Sequence, residues 1–207
     1  MSLANRLWEN NYEIALSSLN SRFVQGIKNG NLPKKNFQNY IAQDYFFLES
    51  FARAYGLAIS KCSDILLIKV LSELLLGISE ELVLHETYAK NWGINLDNNN
   101  IKNATKQYTD FLYVTSSNYG CIEILAAMTP CMRLYSWIGR KLIKFTERNP
   151  YREWIKTYSD DEFQLLTKSL ENSLDSFNQF DENLLNNLYK EAMRLEAVFF
   201  NAHSDFE

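Results

Sequence analysis

The stretch Ile124-Leu-Ala-Ala-Met-Thr-Pro-Cys-Met-Arg-Leu-Tyr-Ser-Trp-Ile-Gly139 decides the reading of the fold. Small and apolar residues fill nearly every position, so the segment reads as one long buried helix rather than a half-exposed one. Pro130 interrupts the middle of it and frees a backbone carbonyl one turn upstream. Cys131 follows directly, and Tyr135 lies one turn later on the same face, so a thiol and a phenol point together into whatever this helix packs against. Taken alone, Cys131 reads first as a small core residue.

Outward from there, helical periodicity continues in both directions, and seven glycines with three prolines leave little punctuation for hairpins. The chain reads as all-α, a single-domain bundle of about eight helices over residues 1–207. A first helix is expected from Leu3 to Leu19, followed by a short one that ends at Gly30 as a left-handed cap, with Pro33 in the first turn of the next. Ser63 or Asp64 caps a helix running to Trp92 and stopped by Gly93. Asp97 to Asn100 reads as a solvated loop, and Lys102 to Asn118 as a further helix. The central helix is expected to end near Arg148. Asn149-Pro150 then caps a short helix through Tyr158, and Ser159 to Glu162 forms a capping box for the one after it.

Two carboxylates break the pattern. Between Lys34 and Ser60, the residues Phe37, Tyr40, Phe47, Phe51 and Tyr55 form one aromatic stripe, and Asp44 falls in the middle of it. Burying a carboxylate among rings costs several kcal/mol unless it is paired or hydrogen-bonded, so Asp44 needs a structural partner, such as Arg53 or a tyrosine hydroxyl, or a ligand. The last helix, Glu182 to His203, repeats the anomaly with Glu196 between Ala192 and Phe199. Glu81 and His85, one turn apart, fit either a hydrogen-bonded structural pair or a haem ligand. The chain lacks the Glu-x-x-His pattern of a di-iron bundle.

Composition bounds the function. At 207 residues with 46% hydrophobic content, the chain supports one substantial core, and its 14% aromatic content suits a ring-lined pocket. A net charge of −4 with scattered basic residues offers no footprint for nucleic acid or an anionic bilayer. The N-terminus lacks the apolar core of a signal peptide and no long apolar run follows, so a soluble cytoplasmic protein is expected. Three cysteines without CxxC spacing and only two histidines argue for free thiols and against a metal site, so no cofactor is expected. A thiol, two carboxylates and several phenols suit covalent catalysis on a flat heteroaromatic ring. Rings stack it, an Asp holds an amino substituent, the Cys adds to an electron-poor carbon, and a Glu moves protons to ring nitrogen or leaving group.

Phe23-Val-Gln-Gly26, Gln43-Asp-Tyr-x-Phe-Leu48, Glu81 with His85, Trp92-Gly-Ile94, Tyr108-Thr-x-Phe-Leu112, Leu125-Ala-Ala-Met-x-Pro-Cys131 with Tyr135, and Tyr151-x-x-Trp-Ile-x-x-Tyr158 occur in order over nearly the whole chain. In these motifs the sequence resembles the TenA/thiaminase II family. The resemblance implies a heme-oxygenase-like fold, usually a homotetramer, acting in thiamin salvage. It implies hydrolysis of 4-amino-5-aminomethyl-2-methylpyrimidine to the hydroxymethyl pyrimidine with loss of ammonia; many members also cleave thiamin. By position, Cys131 matches the nucleophile, Glu196 the acid/base residue and Asp44 the carboxylate that binds the aminopyrimidine. Tyr108, Tyr135 and Tyr158 match pocket tyrosines and Phe47 a stacking ring. The chain departs from the family pattern at Ser21-Arg-Phe23 and Phe199-Phe200. Its retained cysteine separates it from relatives without the thiol and from the PQQ-synthesis oxidase of the same fold. Two other classes stand beside this reading: a non-catalytic pyrimidine-binding protein, and a haem or di-iron oxygenase using His85.

Overall fold

The computed structural model describes residues 1–94, 96 and 100–204, and among these are ten α-helices and no strand. In chain order they are α1 (Leu3–Asn10), α2 (Tyr12–Leu19), α3 (Arg22–Asn29), α4 (Lys34–Ser60), α5 (Ile65–Trp92), α6 (Asn103–Asn118), α7 (Cys121–Leu142), α8 (Arg152–Ser159), α9 (Asp161–Asp175) and α10 (Glu182–Asn201), with a 3-10 turn at Ile143–Phe145. Among the described residues no helix is long and apolar enough to cross a membrane.

α7 is the centre, as its composition requires. It packs against α10, α8 and α9 and also touches α4 and α6, while α4 pairs along its length with α5 and α6. The helix runs through Pro130 without interruption, and the Thr129 hydroxyl donates to the Leu125 carbonyl at 2.7 Å. Residues 124–130 are all buried.

Several boundaries differ from the sequence expectation. Pro33 is the N-cap of α4, α8 starts at Arg152 behind Tyr151 rather than at Asn149-Pro150, and α10 ends at Asn201 rather than His203. Three more differ because a side chain competes for backbone groups. The first helix divides at Asn11, whose amide donates to the Leu7 carbonyl at 2.8 Å while its own N–H bonds Trp8. α7 stops at Leu142 rather than near Arg148, because the Asn149 amide takes the Phe145 carbonyl (3.0 Å) and the Ile27 carbonyl (2.8 Å), and Arg148 turns left-handed at φ 56°. Asp160 rather than Ser159 caps α9, accepting from the Glu162 N–H at 2.9 Å. Of these, the division at Asn11 adds an α-helix to those expected. Gly30 (φ 69°) and Gly93 (φ 64°) close α3 and α5 in the left-handed conformation as their sequence positions suggested. Of the expected loop Asp97 to Asn100, residues 97–99 lie outside the described residues.

Gly139 sets how closely α7 and α8 approach. A Cβ there would stand 2.5 Å from the Tyr158 carbonyl carbon and 2.7 Å from the Ser159 nitrogen, both backbone atoms that cannot rotate away. Gly139→Ala is therefore expected to destabilise the protein by about 2–3 kcal/mol despite alanine's better helix propensity. Chemical denaturation checks this, and an unchanged midpoint would mean that α8 is free to shift. The same contact fixes Tyr158 against the centre of the bundle.

Candidate active site

Asp44, Phe47, Cys131, Tyr135 and Tyr158 line one enclosed cavity, together with Leu48, Phe51, Ile78, Glu81, Met132 and Phe163. α4, α7 and α8 thus deliver five of the seven residues singled out in the sequence to one space. The other two, Glu196 and Tyr108, stand behind Cys131 rather than on the cavity wall. The Glu196 carboxyl lies close enough to the Cys131 thiol for each to shift the other's titration, and the Tyr108 hydroxyl donates to Glu196 Oε1 at 2.9 Å. Phe47 packs on Tyr108 and Phe51 with ring centroids 4.6 and 5.3 Å apart.

Burial pushes the Glu196 carboxyl up to about 8, reinforced by the charge of Asp44 and only partly offset by its hydrogen bond to Tyr108 and by the Cys131 thiol. Burial also raises the Cys131 thiol well above its ordinary value, and the carboxylates of Glu196, Asp44 and Glu81 push the same way. The resting pair is therefore a neutral thiol beside a carboxyl that titrates near neutrality. Such a group can give a proton and take one back within a single turnover.

Asp44 finds its partner in His85, not in Arg53. Arg53 lies nine residues on, about two and a half turns and so on the opposite face of α4, where it pairs with Glu49. His85 Nε2 stands 2.8 Å from Asp44 Oδ2, and His85 Nδ1 stands 2.9 Å from the Glu81 carbonyl. A carbonyl only accepts, so Nδ1 carries a proton, and Nε2 shares a second hydrogen bond with Asp44. Burial by itself lowers the ring's pKa, but the hydrogen bond to Asp44 and the charges of Asp44 and Glu81 outweigh it and leave it raised. His85 thus ties the Asp44 carboxyl to α5 and holds it in place. Ligand atoms of Asp44, Glu81 and His85 lie within 4.8 Å of one another, the spacing of a metal site. Both ring nitrogens of His85 are engaged by protein partners, Nδ1 by the Glu81 carbonyl and Nε2 by Asp44.

A second chain of hydrogen bonds sets the tyrosines. Trp154 Nε1 donates to the Tyr40 hydroxyl at 3.2 Å, and Tyr40 donates to the Tyr135 hydroxyl at 3.2 Å. Indole N–H can only donate, so the chain runs one way and leaves the Tyr135 proton for an acceptor in the cavity. Tyr158 donates to Glu81 Oε1 at 2.8 Å. At the two departures from the family pattern, the Ser21 hydroxyl accepts from the Val24 N–H at 3.3 Å to start α3, and Phe200 packs on Phe23 and Tyr135 at 5.7 and 5.3 Å.

Glu81 was visible in the sequence only as half of a Glu/His pair. Ile78, Met132 and Phe163 carried no chemical signal and looked like ordinary core.

A half-buried thiol beside a buried carboxyl, on a ring-lined cavity that a second carboxyl also lines, is what this all-α fold assembles at its centre. The TENA/THI-4/PQQC family profile matches residues 8–205, and the chain belongs to that family. An aminopyrimidine aminohydrolase of Halalkalibacterium halodurans is 35% identical over 206 residues, covering 96% of this chain and 89% of that protein. The mitochondrial bifunctional TH2 protein of Arabidopsis thaliana is 33% identical over 228 residues, covering 97% of this chain; the chain spans 37% of that relative's length. Among solved structures, a TenA homologue from P. horikoshii superimposes with a TM-score of 0.92 at 24% identity over 99% of both chains. Heme oxygenase-1 of Synechocystis, solved with heme, does so at 0.66 and 15% identity over 98% of this chain and 92% of its own. The fold is the helical one that TenA proteins and heme oxygenase share.

Proposed function

We propose that this chain is an aminopyrimidine aminohydrolase of the thiaminase II type, a hydrolase of thiamin metabolism that converts 4-amino-5-aminomethyl-2-methylpyrimidine to the hydroxymethyl pyrimidine and ammonia. The observation that carries this reading is the Cys131–Glu196 pair beside a cavity that also holds Asp44. Asp44, oriented by His85 through one oxygen, offers the other to the ring's amino group. Phe47 and the tyrosines provide the faces on which the ring rests.

Cys131 Sγ adds to an electron-poor ring carbon as the Glu196 carboxyl protonates a ring nitrogen, and the resulting carboxylate takes the thiol proton. The addition interrupts ring conjugation, so the ring nitrogen's electrons can expel the substituent on the exocyclic carbon. Water then adds at that carbon, and expulsion of sulfur restores the aromatic ring and the thiol. The cavity, about 20 Å³, has room for about one water molecule, so the ring enters only as lining side chains move aside.

The test is direct: purified protein incubated with the aminomethylpyrimidine should release one ammonia per hydroxymethyl pyrimidine formed, and absence of turnover with retained binding would favour a non-catalytic pyrimidine-binding protein. The family's usual tetramer and a cytoplasmic setting complete the reading. Exposed apolar side chains on α5 (Leu76, 60% exposed; Val83, 62%) support self-association.

A further inference from the structure

The cavity is closed, but on one side its wall is shared with a larger space. A cleft of about 420 Å³ opens between α5, α8 and α9, and Ile78, Glu81, Met132 and Phe163 line both it and the inner cavity. Of these four, only Glu81 can carry a proton. Its Oε1 accepts from Tyr158 at 2.8 Å, and the His85 ring bonded to its backbone carbonyl ties the same turn of α5 to Asp44. Burial raises its pKa, with His85 acting against and Asp44 with that rise. It bears electrostatically on the Cys131 thiol, as Glu196 does. The two carboxyls nevertheless occupy different places: Glu196 sits behind the sulfur, out of the cavity wall, while Glu81 stands where the cavity meets the outside.

The proposed reaction has two proton problems and, so far, one solution. Glu196 serves sulfur and ring. An exocyclic amine bound uncharged must gain a proton to leave with the C–N electron pair as neutral ammonia, and Glu196 is already committed to the proton exchange between sulfur and ring nitrogen.

Resting on that reading, we infer that Glu81 is a second catalytic residue, the acid for the leaving group, and that the α5–α8–α9 cleft is the side through which that group departs. Glu81 gives its proton to the amine as the C–N bond breaks, ammonia exits past Phe163 and Met132, and the Glu81 carboxylate takes a proton from the water that adds to the exocyclic carbon. The sum is amine plus water giving alcohol plus ammonia, with Glu81 returned to its starting state. Tyr158 is a positioning residue that aims the carboxyl.

The prediction concerns leaving groups. A quaternary heteroaromatic nitrogen, such as that of thiamin or its pyridinium analogue, departs neutral without a proton. E81Q should therefore lower kcat for the aminomethylpyrimidine by about 100-fold and for the quaternary substrates by at least about tenfold less. Formate, small enough to enter through the cleft, should restore E81A turnover of the amine about tenfold. A wild-type near-ultraviolet circular dichroism spectrum in both variants would report an intact, ring-packed site. Equal losses on both substrate types, or a folded E81A that formate leaves unrescued, would overturn the assignment. Turnover of neither substrate by the wild type would instead overturn the proposed function.

Discussion

Replacing Cys131 by serine is expected to leave the helices in place and to reduce ammonia release from the aminomethylpyrimidine by at least about 10⁴-fold, the scale of loss when a covalent nucleophile is removed from an enzyme that acts through one. The structural side of the expectation follows from size and bonding. Serine is smaller by a fraction of an atom's volume, and its hydroxyl has Glu196 beside it as a partner, so no buried polar group is orphaned. The chemical side follows from acidity. The thiol is already held well above its ordinary pKa by burial and by the surrounding carboxylates, so its nucleophilicity depends on losing its proton as it attacks; a hydroxyl starts several pK units further away and is a far weaker nucleophile. Ammonia assay and circular dichroism on the same preparation decide the matter. A folded variant with a tenth or more of the wild-type rate would mean that sulfur never bonds to the substrate, and the cavity would then have to work by orientation and proton transfer alone.

How much of this was legible without coordinates depends on the range of the interaction. Helices such as α4, α5 and α10 announce themselves by periodicity and by local caps, glycine at positions 30 and 93 among them, because those signals act within a turn or two. Asp44 and Glu196 were legible for a related reason: a carboxylate on an apolar stripe is a local anomaly, whatever resolves it. What resolves it is not local. Asp44 and His85 are 41 residues apart in sequence and belong to different helices. No pattern within either helix marks the pairing, and Arg53 was the wrong candidate because helical spacing turns it away. The breaks at Asn11 and after Leu142 hinge on single asparagine amides capturing carbonyls, a competition that propensity averages away. Ile78, Met132 and Phe163 have the composition of core residues. Only their position between a closed cavity and an open cleft gives them a part in access. Glu196 reads differently in the two views as well: its helix faces the core as expected, yet it serves the cavity through Cys131 instead of lining it.

The most informative single variant is Glu196→Gln, because activity and stability should move in opposite directions. Glutamine keeps an acceptor for the Tyr108 hydroxyl, so the local packing persists. It can neither protonate a ring nitrogen nor accept the thiol proton, and turnover should fall by about 10³-fold, within the range attributed to a positioned acid–base group. Stability should rise. The carboxyl's pKa goes from the ordinary 4.5 in the unfolded chain to about 8 in the folded protein, so between those values the folded state binds the extra proton. The contribution of this group to stability is therefore fully present below about 4.5 and lost as the pH climbs through 8. Above that range the wild type carries a buried carboxylate that the variant does not, a difference on the order of a few kcal/mol. Thermal melts of the two proteins should nearly coincide in mild acid and separate progressively as the pH rises, with the variant melting higher. Parallel curves at all pH values would mean that Glu196 is ionised throughout, and a permanently ionised Glu196 could accept the thiol proton but could not protonate the ring. The comparison thus tests the proton inventory of the site without any substrate. It also states what the fold gives up to hold a carboxyl against a thiol: stability at alkaline pH, exchanged for a group that can both give and take a proton near neutrality.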